Sequence, residues 1–384
     1  NLPESWQADA ELTDVFFLNR DKGWAVGAQG VILRTNDGGI TWNEISQLDV
    51  FVEDENSLKE KIRNLQSGRS TNTSGMTHQA ERSLPIRCRF ESVHFVDALN
   101  GWAAGGYRIP YMNRSRAVVM QTNDGGVTWK SVNGIIIPRL RKIHFMSRKR
   151  GWAVGEPGNL FTSGLYFTSD GGQSWSSDNN QRTSGWKTAA RFENDQIGID
   201  AFGRLTYLEQ RRSKLAVLVN VEDEQQISEL LMLDPKNGIA VGAKGTILRT
   251  ANSGRSWQPL DLGNAAPVVS QIDFQTVAIG GNKLWFAGNP GSCLVSVDLT
   301  TGVTDVVRTP VQTRFNKICF GDPLHGVAVG EFGVIVTTSD GGQSWTIRRG
   351  KNQSSALMFV SERSNQLPLA LLSRYSTEEN RICS

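Results

Sequence analysis

The hydrophobic positions of this chain fall in short alternating runs separated by glycine turns, and the runs repeat. Four of the five clear copies open on an apolar-x-Phe pair, Val15/Phe17, Val93/Phe95, Ile143/Phe145 and Ile318/Phe320. A GWAVG-type run follows, then a GVILRT-type run, then a tryptophan that opens a fourth. Period-two alternation punctuated by glycine is the mark of half-buried strands, so each copy predicts four of them. The copies occupy residues 12–42, Phe90 to Trp129, Leu140 to Trp175, 227–257 and 315–345. Two worn copies, about Trp186–Leu208 and about Val269–Val297, bring the count to seven. One four-stranded sheet cannot bury both its faces alone, whereas radial stacking buries them and leaves short edges. The predicted fold class is all-β, a seven-bladed β-propeller of four-stranded blades over residues 1–355.

Between the third and fourth strands of four copies lies T/S-x-D-x-G-x-T/S-W, an Asp-box hairpin. Its residues are Asp37 and Trp42, Asp124 and Trp129, Asp170 and Trp175, and Asp340 and Trp345. Each aspartate is placed to accept backbone N–H groups within the turn, the glycines permit positive φ, and the tryptophan packs on the sheet. These aspartates read as structural. In the fifth copy Ser253 reads as standing in the aspartate's place.

The combined string GWAVG-x-x-G-x-I-L-R-T-x-D-G-G-x-T-W resembles the photosystem II stability/assembly-factor family of Asp-box (BNR-repeat) propellers. Gly23–Trp42 carries it almost whole; Gly151–Trp175, Gly238–Trp257 and Gly326–Trp345 carry it with changes. The resemblance implies a non-catalytic binding protein with no cofactor. It further implies a location outside the cytoplasm and an arginine-rich surface that takes a protein partner, including one from a membrane protein. Fold alone does not settle function. Asp boxes also occur in sialidases and xyloglucan-cleaving enzymes, so a glycoside hydrolase or a glycan-binding propeller is the alternative. Residues 107–110, YRIP, resemble the motif that supplies a carboxylate-binding arginine in sialidases, here Arg108. They fall within a loop between strands two and three, whereas in sialidases the motif precedes the first blade. No tyrosine–glutamate nucleophile pair is evident in the sequence.

In a propeller, loops joining strands four to one and two to three share a face, opposite the Asp boxes. The long insertion 47–87, with a predicted helix over Asn56–Gln66, belongs to that face. So do the enlarged loops at Tyr107–Arg116 and Glu156–Gly164. Long loops on a rigid scaffold carry function more often than the scaffold does. Alignment on the first strand puts Arg89, Arg139 and Arg314 at one position, at the entrance to the central channel. Arg87, Arg141, Lys142 and Lys317 flank them, and Arg108, Arg114 and Arg116 come from the second insertion. Converging guanidinium groups suit a carboxylate-bearing partner. Glu156 and Glu331, at equivalent loop tips, are expected to pair with these arginines rather than to act as an acid–base couple. His94 and His144 fall mid-strand and are expected to be buried core residues.

Composition adds limits. The net charge of +3 does not suggest a nucleic-acid partner. No apolar run reaches the roughly 18 residues that span a bilayer. Cys88, Cys293, Cys319 and Cys383 form no CxxC pair and match no zinc spacing, so no metal site is predicted. Residues 356–384 leave the repeat, with a candidate strand at Ala356–Val360 and a candidate helix at Leu367–Glu378. They read equally well as a docked tail or as the start of a further α/β domain.

Overall fold

The computed structural model describes residues 9–45, 48–49, 88–109, 114–132, 134–177, 182–192, 195–209, 212–220 and 226–348. Seven antiparallel sheets follow one another along the chain, each ordered as a simple meander of four strands. Their first strands are Leu12–Phe17, Arg89–Phe95, Leu140–Phe145, Trp186–Phe192, Ile227–Met232, Asp273–Gly280 and Phe315–Phe320. These pack side by side all the way round, the seventh returning to the first, so they enclose a central bore. The protein is a seven-bladed propeller. The helix predicted at Asn56–Gln66 and the elements predicted beyond Ala356 lie outside the described residues.

Burial follows from this stacking. Seven hydrophobic clusters occupy the seven interfaces between neighbouring blades. One, for instance, joins Trp24, Val26 and Ile32 of blade 1 to Phe90, Val93 and Phe95 of blade 2. Another joins Leu12, Val15 and Trp42 of blade 1 to Val327, Val329 and Ile335 of blade 7, which closes the ring. The tryptophan of the second strand ties each of the first two blades to the next. Trp24 lies flat on Phe95, ring centroids 3.5 Å apart, and its Nε1–H donates to the Gly125 carbonyl in the next blade's Asp box at 3.1 Å. Trp102 repeats this on Phe145 and Gly171. The Asp-box tryptophan then meets the same phenylalanine edge-on, as Trp129 does Phe95 and Trp175 does Phe145. Thus GWAVG and the Asp box are two halves of one interblade contact.

The boxes themselves are hydrogen-bond clasps. In blade 1, Asp37 Oδ1 accepts from Thr35 Oγ1 and Thr41 N–H, Oδ2 accepts from Thr41 Oγ1 at 2.6 Å, and Thr35 Oγ1 accepts from Gly39 N–H. Asp124, Asp170 and Asp340 do the same. The fifth copy corrects the expectation for Ser253. Asn252 stands in the aspartate's place, accepting from Thr250 Oγ1 and Ser256 N–H. Ser253 replaces the glycine that follows and adopts φ +58°, as Gly38 does at +72°.

Two sheets gain a fifth strand that four-stranded blades did not anticipate. Leu48–Asp49 runs parallel to the outer strand Trp129–Ser131 of blade 2, and Val217–Leu218 runs parallel to Ser256–Pro259 of blade 5. In both, the chain leaving one blade crosses along the outer edge of the next before turning inward. The second insertion also differs from a plain loop. Tyr107 and Arg108 pair with Arg116 and Ser115, so the insertion lengthens a β-hairpin.

Candidate binding site at the mouth of the central channel

Every first strand carries a register shift at the same place, between Leu12/Asp14, Phe90/Ser92, Leu140/Lys142, Trp186/Thr188, Ile227/Glu229, Phe274/Thr276 and Phe315/Lys317. A β-bulge inserts one residue and flips the phase of side chains after it. Without it Asp14 would face the interblade core with Leu12. With it, Asp14 turns towards the axis and Val15 returns to the core, as the buried, partial, partial, buried sequence of Leu12–Val15 records. The bulge therefore builds layers of polar side chains around the bore.

The outermost layer, just before the bulge, holds Glu11, Arg89, Arg139, Gly185, Gln226, Asp273 and Arg314 in blade order. The bulged residues form the next: Thr13, Glu91, Arg141, Lys187, Ser228, Gln275 and Asn316. The predicted arginines are brought together here, but with carboxylates among them. Arg89 Nη1 lies 2.6 Å from Glu11 Oε2, with a second contact from Nη2 to Oε1 at 3.1 Å. Its Nε is 3.3 Å from Glu91, which also pairs with Arg139 and, at 3.2 Å, with Arg141. Glu91 is thus shared by three guanidinium groups. The hydrogen bond from Arg89 is the main cause holding the Glu11 carboxyl below its usual range, against the opposing effect of burial. Arg314 differs: its Nη2 donates to the Gln275 amide oxygen at 3.3 Å, and no carboxylate lies within ion-pair distance among the described residues.

One layer deeper, Asp14, Ser92, Lys142, Thr188, Glu229, Thr276 and Lys317 face the bore. Lys142 and Lys317, predicted as flanks of the mouth, lie in this layer. Lys317 pairs directly with Glu229, their side chains 20% and 11% exposed. Burial opposes the charge on both, and their pairing outweighs it, so Glu229 is held low and Lys317 high. For Asp14 and Lys142 burial prevails, raising the first and lowering the second. This layer also stitches blades together. Asp14 Oδ2 accepts from Val93 N–H at 2.9 Å, Glu229 Oε2 from Val277 N–H and Thr276 Oγ1 from Ile318 N–H, each in the next blade.

The next axial layer contains His94 and His144. They are half-buried bore residues rather than interblade core, ring centroids 4.2 Å apart. His94 Nδ1 accepts from Phe145 N–H at 3.3 Å. Burial pushes their pKa values down, to about 3 and about 4, so both are neutral near pH 7. No cluster of three or more His, Cys, Asp or Glu side chains suited to a metal occurs among the described residues.

Arg108 and Arg114 are exposed on the lengthened hairpin, while the Arg116 guanidinium reaches the Ile135 carbonyl. Arg87 lies outside the described residues. Glu156 binds Ser115 Oγ at 2.5 Å and Arg141 at 3.5 Å, as expected of an ion-paired side chain. Glu331 belongs to blade 7 and Glu156 to blade 3, with two blades between them. The buried Tyr166 hydroxyl donates to the Glu156 backbone carbonyl at 2.6 Å, not to its carboxylate, so these two do not form a nucleophile pair. The sequence reading missed Lys187, half-buried beside Arg141. It sits in a worn copy, and only the bulge register aligns it with Glu91 and Arg141.

A family model described as photosynthesis system II assembly factor YCF48 matches residues 4–64 and 208–306. Among curated relatives, the photosystem II assembly lipoprotein Ycf48 of Prochlorococcus marinus is 25% identical over 320 residues, covering 76% of this chain and 88% of that protein. The lipoprotein Ycf48 of a Nostoc species is 27% identical over 338 residues, covering 86% and 84%. A solved structure described as YCF48 bound to D1 peptide superposes with a TM-score of 0.59 at 19% identity, over 86% of this chain and 94% of that one. The WD40 propeller of Doa1 superposes at 0.52 with 10% identity, which marks how widely the bare fold is shared. With the repeat string, the blade count and the matched model all in agreement, the chain is similar to the photosystem II assembly-factor-like family of Asp-box propellers.

Proposed function

We propose that this protein is a non-catalytic, assembly-factor-like propeller that binds an extended segment of a partner protein across its channel mouth. The observation that carries the reading is the run of basic side chains over consecutive blades on the loop-bearing face: Arg89, Arg108 and Arg114 on blade 2, Arg139 and Arg141 on blade 3, and Lys187 on blade 4. The relatives support it, being named as assembly factors, and one solved relative is described as bound to a peptide. A peptide of a membrane protein is the partner class this suggests, and the lipoprotein and chloroplastic names of relatives suggest a place outside the cytoplasm. Residues 1–355 act as the recognition propeller.

The inner arginines are unsuitable for a charge-reversal test, because Arg89 and Arg139 neutralise Glu11 and Glu91 within the ring. A clean variant is Arg108→Glu with Arg114→Glu, both exposed. Affinity capture from a membrane extract of the source organism should yield a partner with the unaltered protein and at least a tenfold lower recovery with the double variant. Equal recovery would remove the basic face from the reading. No specific partner in either would remove the binding reading itself.

A further inference from the structure

The tip joining strands two and three of blade 7, Glu331–Gly333, carries Phe332 at φ +55° and ψ +30°. The left-handed region is costly for a bulky side chain. The same tip position is Gln29 in blade 1 and Lys244 in blade 5, at φ +57° and +54°, each followed by glycine as Phe332 is by Gly333. Blade 7 alone of the three spends this strained position on an aromatic ring, and that ring is 65% exposed. It has no aromatic or cation partner among the described residues. The other highly exposed phenylalanine, Phe202 on blade 4, lies under its own Arg204 at 5.2 Å.

The backbone ties this tip to the least satisfied arginine of the mouth. Glu331 N–H donates to the Arg314 carbonyl at 3.1 Å, so ring and guanidinium issue from hydrogen-bonded neighbours. Arg314 Nε is buried without an acceptor, and its one hydrogen bond goes to the Gln275 amide. Every other arginine of the outermost layer has a carboxylate. The tip rests against the first strand of blade 1, beside the bore.

Resting on the peptide-binding reading above, we propose that Phe332 and Arg314 form its specificity subsite, taking an apolar side chain and an adjacent acidic residue of the extended partner segment. The exposed ring supplies apolar contact at little entropic cost, and rigid aromatic anchors beside arginine are the usual centres of binding energy. A ligand carboxylate would give Arg314 the charged partner that the ring denies it. Two carboxylates flank the pair. Glu11 of blade 1 accepts from the Asn316 amide at 2.9 Å and feels the Arg314 charge, but it is ion-paired to Arg89. Glu331, half-buried at the tip, would disfavour acidic residues on its own side of the ring and so sets the direction of the pair.

Fluorescein-labelled Gly/Ser decapeptides with a central Leu-Glu-Leu, Ala-Glu-Ala or Leu-Gln-Leu would be titrated by anisotropy. The unaltered protein should bind Leu-Glu-Leu about tenfold tighter than either control. Phe332→Asn, a residue that tolerates left-handed backbone, should erase the preference for Leu over Ala while keeping that for Glu over Gln, with an unchanged or higher melting temperature. Arg314→Gln should do the reverse. Equal binding of the three peptides by the unaltered protein, or unaltered discrimination by Phe332→Asn, would overturn the subsite. If that happens while Arg108→Glu with Arg114→Glu still abolishes capture, the wider binding reading stands and this inference alone falls.

Discussion

At the residue scale, the Asp boxes show one side chain doing the work of several backbone bonds. The turn's N–H and hydroxyl groups converge on Asp124 and Asp340, and these bonds outweigh the opposing effect of burial, holding both carboxyls at about 2. A folded pKa below the unfolded value of roughly 3.9 contributes stability that is complete above pH 4 and lost as pH falls towards 2. Blade 5 lacks this because Asn252 is neutral, with Nδ2 donating to Ser256 Oγ where the other boxes accept. Asn252→Asp should therefore stabilise the protein by about 0.5–1 kcal/mol at pH 7, reflecting charge-assisted bonds on an exposed turn. Thermal melts at pH 7 and pH 2 check it: the gain should vanish at the lower pH, and a gain equal at both would point to another cause.

At the element scale, the first-strand bulge decides which residues meet. It was legible in principle, because Leu12 and Val15, Phe90 and Val93, and Phe315 and Ile318 are three apart where a regular strand keeps apolar positions two apart. Aligning only on the later apolar-x-Phe pair hid this. It merged Lys142 and Lys317 with the mouth arginines, although the bulge carries them one layer down. The carboxylates were also invisible as partners, since Glu11 and Glu91 meet Arg89 and Arg139 only across blade boundaries. The bore layer makes the consequence measurable. Lys317→Met leaves Glu229 without its ion pair and should cost about 3–5 kcal/mol, whereas Lys317→Met with Glu229→Met should recover most of it. Chemical denaturation of the four members of that cycle would show it. A double variant no better than the single would mean that the bond from Val277 N–H to Glu229, not the ion pair, is what matters.

At the scale of the whole molecule, the repeat made blade count and strand order readable, because the clear copies carry GWAVG-type runs and Asp boxes, the two halves of the contact that joins blade 1 to blade 2 and blade 2 to blade 3. The worn copies were harder for the same reason: blade 4 lacks the box. Its boundary with blade 3 holds the smallest of the seven clusters, Trp152, Val154, Leu165, Trp186 and Ala189. Stability of such an array is close to a sum over neighbour interfaces. Native-state hydrogen exchange should thus find the lowest protection in the strands of blade 4, Trp186–Leu215, and the highest around Trp24, Phe95 and Trp129. First opening at the boundary of blades 7 and 1 would contradict this and make ring closure the weak point.

The bore layer has a further consequence, one of counting. Charged residues occupy blades 1, 3, 5 and 7, and hydroxyl residues occupy blades 2, 4 and 6. Strict alternation cannot close on an odd number: somewhere two of the same kind must be neighbours. Here they are Lys317 and Asp14, opposite in sign, at the boundary where the last blade meets the first. Parity thus turns an unavoidable defect in the pattern into an attraction placed where the chain has no peptide link between blades. An eighth blade would remove the defect and that attraction with it.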